Sequence, residues 1–421
     1  MAHDRSSQPH PAEEMSSART GSVDAFRAEV RQWCEQNVPD GWRAREADAS
    51  LDELVGLQRE WRASLASAGY LAPHWPTEFG GSDLSLPKQV VLAEELSRAD
   101  APRLALYQVA IYNAAPAILH HGTDAQKRRF IPGIREGDVW CQGFSEPNAG
   151  SDLASLSTRA ERRGDVYVLN GQKVWTSWAM HADWCILLAR TDPTAPKRRG
   201  LSFLLMDMSS PGVEVRPITQ STGAAEFCEL FLTDVEVPVE SLLGGENDGW
   251  RVSQSTLASE RAVTLLELVE RLHYNGFHGL LAAAGGWRGD DGEPVLQDPV
   301  MRERLGGLYG EVQILRGLCA RMIDSLTSRG GVGAESSIAK IAYSELLQRL
   351  MRTAVEMQGL PAQVRQPPLM SAGWETGDWL VDYIGSWSWT IAGGTNEIQR
   401  NIIGEQHLGL PREPRSSEER A

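Results

Sequence analysis

Between Asp138 and Pro238 the apolar residues of this chain change their spacing from a helical repeat to alternation, and after Gly249 they change back. Side chains three and four apart share one face of a helix, whereas alternate side chains share one face of a strand, so a helical, a β and a second helical segment must follow one another. Ser85-Leu86-Pro87 opens the helical run KQVVLAEELSRA with a capping serine and an early proline. Asp165 to Val174 alternates about Asn170-Gly171, whose tolerance of positive φ predicts a hairpin, and strand-like runs follow at Trp184, Leu201, Val213 and Cys228. Helical spacing then occupies about 250–284, 301–329, 335–358 and 376–391, segments that can pack as a bundle, with the Gly- and Asp-rich stretch Gly285 to Pro299 as a loop. The expected divisions are a tail at 1–21, an N-terminal helical domain at 22–137, a β domain at 138–245, a C-terminal helical bundle at 246–412 and a tail at 413–421.

A chain of 421 residues has interior enough for two to three domains, and its 42% hydrophobic and 23% charged residues are those of an ordinary globular protein. The formal net charge of -15 repels phosphate polyanions, which argues against nucleic acid as a partner. Cys34, Cys141, Cys185, Cys228 and Cys319 are odd in number and lack C-x-x-C spacing, so they suggest neither a disulfide framework nor a zinc site and fit a reducing cytoplasm. Apolar runs such as Trp184 to Ala189 are too short to cross a bilayer. The N-terminal stretch has no signal-type apolar core, and it carries the Asp and Glu that transit peptides avoid. His120-His121 and the pair His273, His278 lack the carboxylate or cysteine company of a metal site. No G-x-G-x-x-G follows a strand, which argues against a Rossmann dehydrogenase using nicotinamide.

Three segments carry chemistry. Cys141 to Asp152 reads CQGFSEPNAGSD, Leu169 to Ser177 reads LNGQKVWTS, and Thr390 to Arg400 reads TIAGGTNEIQR. Taken singly, the first is a Pro- and Gly-containing turn, Trp175 in the second is a core aromatic, and in the third Thr395 or Asn396 caps a helix continued by Ile398, Ile402 and Ile403. Together, at these separations, they resemble the acyl-CoA dehydrogenase family, actinobacterial members included, over most of residues 24 to 412. The resemblance implies an α+β multi-domain fold: an N-terminal helical domain, a middle β-barrel and a C-terminal four-helix bundle, with FAD between the last two. It also implies an acyl-CoA or acyl-carrier thioester as substrate, an electron-transfer flavoprotein as acceptor, and a homotetramer or α2β2 oligomer. Ser145, Trp175 and Ser177 match positions at the flavin ring, with Gln142, Phe144 and Thr176 beside them. By the same resemblance Thr395, Asn396 and Glu397 line the FAD site, Ser151 and Gly394 contact substrate, and Arg261 stands at the substrate mouth.

Desaturating a thioester between Cα and Cβ needs a base for the α proton, a hydride acceptor, and donors that polarise the carbonyl. The family's usual base is a Glu immediately before the Gly-Thr of the last segment, and here that position is Gly393. Its backbone N–H can still polarise the thioester, while the missing side chain leaves room for bulky acyl groups. Ser259-Glu260-Arg261 resembles the isovaleryl-CoA and long-chain branches, where the base sits on this helix, and Glu260 is the candidate. Burial beside an apolar ligand would raise its pKa toward neutrality. The family's R-x-x-F-G segment is not found, leaving Arg288 as a weak substitute, and Glu356-Met357-Gln358-Gly359-Leu360 replaces its F-G-G loop. The reading is an FAD-dependent enzyme that makes a trans-2-enoyl thioester. Two alternatives use the same residues. One is a flavin monooxygenase, since relatives that hydroxylate or N-oxidise lack the dehydrogenase base. The other is a supporting subunit of a mixed oligomer, as in some actinobacterial steroid-degrading relatives. Glu260 favours dehydrogenation over the first, and the flavin motifs argue against the second.

Overall fold

Ser22 starts the first helix by accepting the Ala25 N–H on its hydroxyl, 3.2 Å away. The computed structural model describes residues 21–329, 333–363 and 375–412, the side chains at 47–48, 257–263, 329 and 363 excepted. The N-terminal helices are α1 (Val23–Asn37), α2 (Trp42–Asp48), α3 (Leu51–Ser67), α4 (Leu86–Arg98), α5 (Ala115–His121) and α6 (Asp124–Glu136), with a π turn at Ala110–Ala114 before α5. Capping boxes at Ser50/Glu53 and Thr123/Gln126 satisfy the first N–H groups of α3 and α6. Ser85 does sit at the N-cap of α4, but its hydroxyl makes no capping bond; Pro87, with φ already helical, sets that start. The apolar stripe of α1, Phe26, Val30 and Cys34, packs with Val91 and Leu92 of α4 in one core. At that contact Glu95 is buried and accepts hydrogen bonds from Arg27, Arg31 and Arg98. Burial alone would raise its carboxyl, but the three guanidinium groups hold it down to about 2.

The strands are β1 (Trp140–Gly143), β2 (Arg159–Arg163), β3 (Val166–Ser177), β4 (Trp184–Arg190), β5 (Leu201–Asp207), β6 (Val213–Ile218), β7 (Phe227–Pro238) and β8 (Leu242–Leu243). They run in the order β6-β7-β3-β2-β4-β5-β8, with β1 pairing parallel to β4. A single pair, Arg159 with Arg190, joins the β6-β7-β3-β2 half to the half that contains β1, β4, β5 and β8. Leu169, Cys185, Leu187, Leu204, Leu230 and Val235 close one core of this middle domain. The hairpin expected at Asn170-Gly171 is not there. The β2–β3 turn falls at Gly164-Asp165, where Gly164 takes a φ of 63°, and Asn170-Gly171 lies inside β3 at a slip of register against β7. The glycine serves close approach: a Cβ on Gly171 would lie 2.5 Å from Thr158 Oγ1. Asn170 exchanges hydrogen bonds across the slip with Asp234, from whose N–H it accepts at 3.0 Å.

The C-terminal helices are α7 (Gly249–Arg271), continued by a π turn (Leu272–His278) and α8 (Gly279–Ala284), then α9 (Pro299–Arg329), α10 (Ala334–Gln358), α11 (Trp379–Ser386) and α12 (Asn396–Ile402). The chain divides into two compact units, residues 21–263 and residues 264–363 with 375–412, each with its own core. In the second, Val312, Leu315 and Met322 of α9 and Leu347, Leu350 and Met351 of α10 are buried.

Candidate functional site

Strand β1 delivers Gln142, and the loop after it carries Ser145 back against β3, where the Val174 N–H donates to the Ser145 carbonyl at 3.0 Å. A charge fixes this contact. Lys173 is fully buried, and its ammonium donates to Glu146 Oε1 at 2.9 Å and to the Phe144 carbonyl at 3.2 Å. Glu146 also accepts from the Ser157 N–H and hydroxyl at 2.7 and 2.8 Å and from the Thr158 N–H at 2.8 Å, so both ends of the loop meet on one carboxylate. Burial would raise that carboxyl, but Lys173 and these donors hold it down to about 2. The two segments singled out in the sequence are thereby brought together.

Next to Lys173 the pairing of β3 with β7 slips, and Trp175 takes a left-handed φ of 61°. Such a conformation costs a bulky residue about 1–3 kcal/mol and persists only where its surroundings impose it. Its effect is to turn the indole outward: Trp175 is 58% exposed, edge-on to Phe227 with centroids 6.2 Å apart. Trp175 is therefore not a core aromatic. Trp178, also left-handed at 58°, is buried and donates its N–H to the Glu226 carbonyl at 2.7 Å, fixing the far side of the slip. Between them Ser177 is half-buried, and Thr176 is buried with a hydroxyl that finds no hydrogen bond among the described residues. Ser145 and Gln142 are likewise half-buried, whereas the Phe144 ring is core, edge-on to Phe203. Gln142 has a partner that sequence reasoning missed: the buried Asn113, on the π turn, donates to its Oε1 at 3.0 Å. Ser151 lies in an exposed turn beside Asp152, which Lys197 meets at 3.1 Å.

In the second unit the Gly-Gly-Thr turn is held from behind by one face of α10. Gly393 and Gly394 have φ of 66° and 91°, and Thr395 caps α12 by accepting the Ile398 N–H at 3.2 Å. Asn396 is buried, its Oδ1 accepting from Lys340 at 2.9 Å and from Ser344 at 3.1 Å. The buried Gln399 donates to the Gly393 and Gly394 carbonyls at 3.1 and 3.3 Å and accepts from Ser337 at 2.8 Å. Burial pushes the Lys340 ammonium down to about 8 against the pull of Glu397. The Glu397 side chain itself is 79% exposed. Among the described residues, the N–H of Gly393 makes no backbone hydrogen bond. A Cβ built on Gly393 meets no atom within 4 Å.

Glu260 and Arg261 lie on α7, but their side chains are outside the described residues. Arg288 stays within its own loop, donating to the Gly292 carbonyl at 3.2 Å. Glu356 bridges Arg304 and Arg352. The residues missed in the sequence had a faint signal: Lys173 is the single charged residue of β3. Ser337, Lys340, Ser344 and Glu345 recur at helical spacing on the face of α10 that meets α12.

Family profiles described as the acyl-CoA dehydrogenase N-terminal, middle and C-terminal domains match residues 20–138, 141–235 and 247–408. Acyl-CoA dehydrogenase IpdE1 of Mycolicibacterium smegmatis is 37% identical over 405 residues, covering 93% of this chain and 98% of that one. Among solved structures, a Tcur3481-Tcur3483 steroid ACAD superposes with a TM-score of 0.80 at 31% identity, over 93% of this chain and 98% of that one. The ChsE4-ChsE5 complex from Mycobacterium tuberculosis superposes with a TM-score of 0.76 at 30% identity, over 94% of this chain and all of its matching chain. With all three domain profiles in order along one chain and relatives of this similarity over nearly its whole length, this protein belongs to the acyl-CoA dehydrogenase family.

Proposed function

We propose that the chain is an FAD-dependent dehydrogenase that introduces a trans double bond between Cα and Cβ of a thioester with a bulky acyl group. The observation that carries this reading is Gly393. Its N–H makes no backbone hydrogen bond among the described residues, and no atom there lies within 4 Å of a built Cβ. A donor for the thioester carbonyl is kept while the usual side chain is absent. The residues of the first unit fit a flavin: an outward aromatic, Trp175, beside the half-buried hydroxyls of Ser145 and Ser177 and the amide of Gln142. With Phe144 and Thr176 of the same segments, they would hold FAD. When bound, FAD supplies the acceptor for the β hydride. Glu260 takes the α proton, Gly393 and Gly394 hold the thioester, and Ser151 and Arg261 contact the acyl-CoA. The acceptor of the electrons is an electron-transfer flavoprotein. The family relatives named as two-component assemblies support an α2β2 oligomer beside the homotetramer, and one titled a steroid ACAD supports a ring-bearing acyl group. The buried free cysteines suit a reducing cytoplasm.

Anaerobic bleaching of the purified yellow protein by short, long, branched and polycyclic acyl-CoAs tests the reading, and polycyclic or branched thioesters are expected to reduce it fastest. Glu260→Gln should slow that step by about 10² to 10⁴ while FAD stays bound. A colourless protein, a preference for short straight chains, or near-normal reduction by Glu260→Gln would each defeat it; oxidation that needs oxygen would point to the monooxygenase instead.

A further inference from the structure

We infer that Asn113 is a positioning residue that holds the Gln142 carboxamide by its oxygen and leaves the NH2 end to donate to the flavin ring. The inference rests on the reading that Gln142 lies at that ring. Strand alternation puts Gln142 on the face of β1 that also carries Trp140, and Trp140 packs in one core with Ala110, Ile111 and Ala114 of the π turn. An amide in such apolar company needs a partner. Asn113, 3% exposed, supplies it, its NH2 donating to Gln142 Oε1 at 3.0 Å. Among the described residues this is the only hydrogen bond of the Gln142 side chain. A carboxamide accepts at one end and donates at the other, so with its oxygen taken the NH2 remains for an acceptor on a ligand.

The π turn fixes Asn113 in its own place. The Ala115 N–H reaches back to the Ala110 carbonyl, the Ile111 carbonyl accepts from the Trp75 indole at 3.4 Å, and the Tyr112 ring stacks on His74 at 5.8 Å. Asn113 is thus seated on anchored backbone, whereas Gln142, half-buried on a long side chain, has no other bond among the described residues to choose its rotamer. Two-electron reduction loads negative charge onto the polar edge of a flavin. A donor bonds a charged acceptor more strongly than a neutral one, so an NH2 held there favours the reduced state.

The reduction potential of the substrate-free holoenzyme, titrated against a reference dye, reads this without turnover. Asn113→Leu should keep FAD and lose about tenfold of its preference for reduced over oxidised flavin, a fall of about 30 mV for a two-electron couple. Gln142→Leu should show the same fall, and the double variant no more than either alone, because both act through one bond. If Asn113→Leu does not fold, Asn113→Ala, which adds no bulk, takes its place. A purely structural role would lower the unfolding midpoint of the flavin-free protein and leave the potential of the loaded one where it was. That unchanged potential in the folded Asn113 variant, or a fall in the double variant equal to the sum of the two, overturns the positioning role. A colourless wild-type protein, or an unchanged potential in Gln142→Leu, overturns the placement of Gln142 at the flavin and this inference with it.

Discussion

The loop that carries Ser145 and the turn that carries Gly393 are both held from behind, but by different chemistry. A buried ion pair, Glu146 with Lys173, gathers the loop, whereas neutral amides, Gln399 and Asn396, grip the turn with one lysine assisting. An ion pair is strong only while both charges are present, and it has no preferred face. Amides are individually weaker, but their donor and acceptor ends differ, so they fix direction as well as place. On the proposed reading the first site is a platform for a large cofactor and the second a donor for the thioester, and the two fastenings suit those two tasks.

The contrast breaks first on stability. Lys173→Met leaves the buried Glu146 carboxylate without its countercharge and should cost about 3–5 kcal/mol. Lys340→Met leaves Asn396 with its Ser344 donor and should cost about 1 kcal/mol. Chemical denaturation of the two variants compares them, and equal losses would show that the turn, too, depends on charge.

Acid should separate the groups next. His74, stacked on Tyr112 at 5.8 Å, is pushed by burial from 6.5 down to about 4, so the unfolded chain takes the proton first and stability falls as the pH drops from 6.5 to 4. Glu146 is shifted in the same direction, by ion pairing and hydrogen bonds rather than by burial, and acts in a lower window. Its contribution is complete above its ordinary 4.5 and is lost as the pH falls from there to about 2. Denaturation midpoints followed against pH should fall through both windows, and the double variant Glu146→Gln, Lys173→Met should flatten most of the Glu146 part of the lower one. A lower window as steep in that variant would remove the ion pair as its cause.

The smallest effect concerns the hydroxyls in front of the platform. Ser145→Ala and Ser177→Ala should each weaken FAD binding by about 1 kcal/mol, read from flavin fluorescence on dilution. Unchanged affinity in the double variant would move the flavin edge elsewhere.

Element order and type could be read from apolar spacing, because burial of one face is a local property of sequence. The motifs for Ser145, Trp175 and Gly393 were legible as well. What could not be read was their fastening. Glu146 and Lys173 stand 27 residues apart and meet only after the loop has closed. The displaced hairpin had a related cause: Asn170-Gly171 suits a turn locally, but packing against Thr158 and Asp234 uses the same two residues inside a strand. The exposed Trp175 depends on a slip of register with β7, which no single stretch of sequence encodes.

The Glu146–Lys173 pair also bears on how this chain can change through descent. Either residue altered alone strands a charge in the interior, so a lineage must pass through a poorly folding intermediate or change both at once. The two segments should therefore be inherited as a unit, and a chimera that takes residues 141–152 from one parent and 169–177 from another should fold only when the parents agree at both positions.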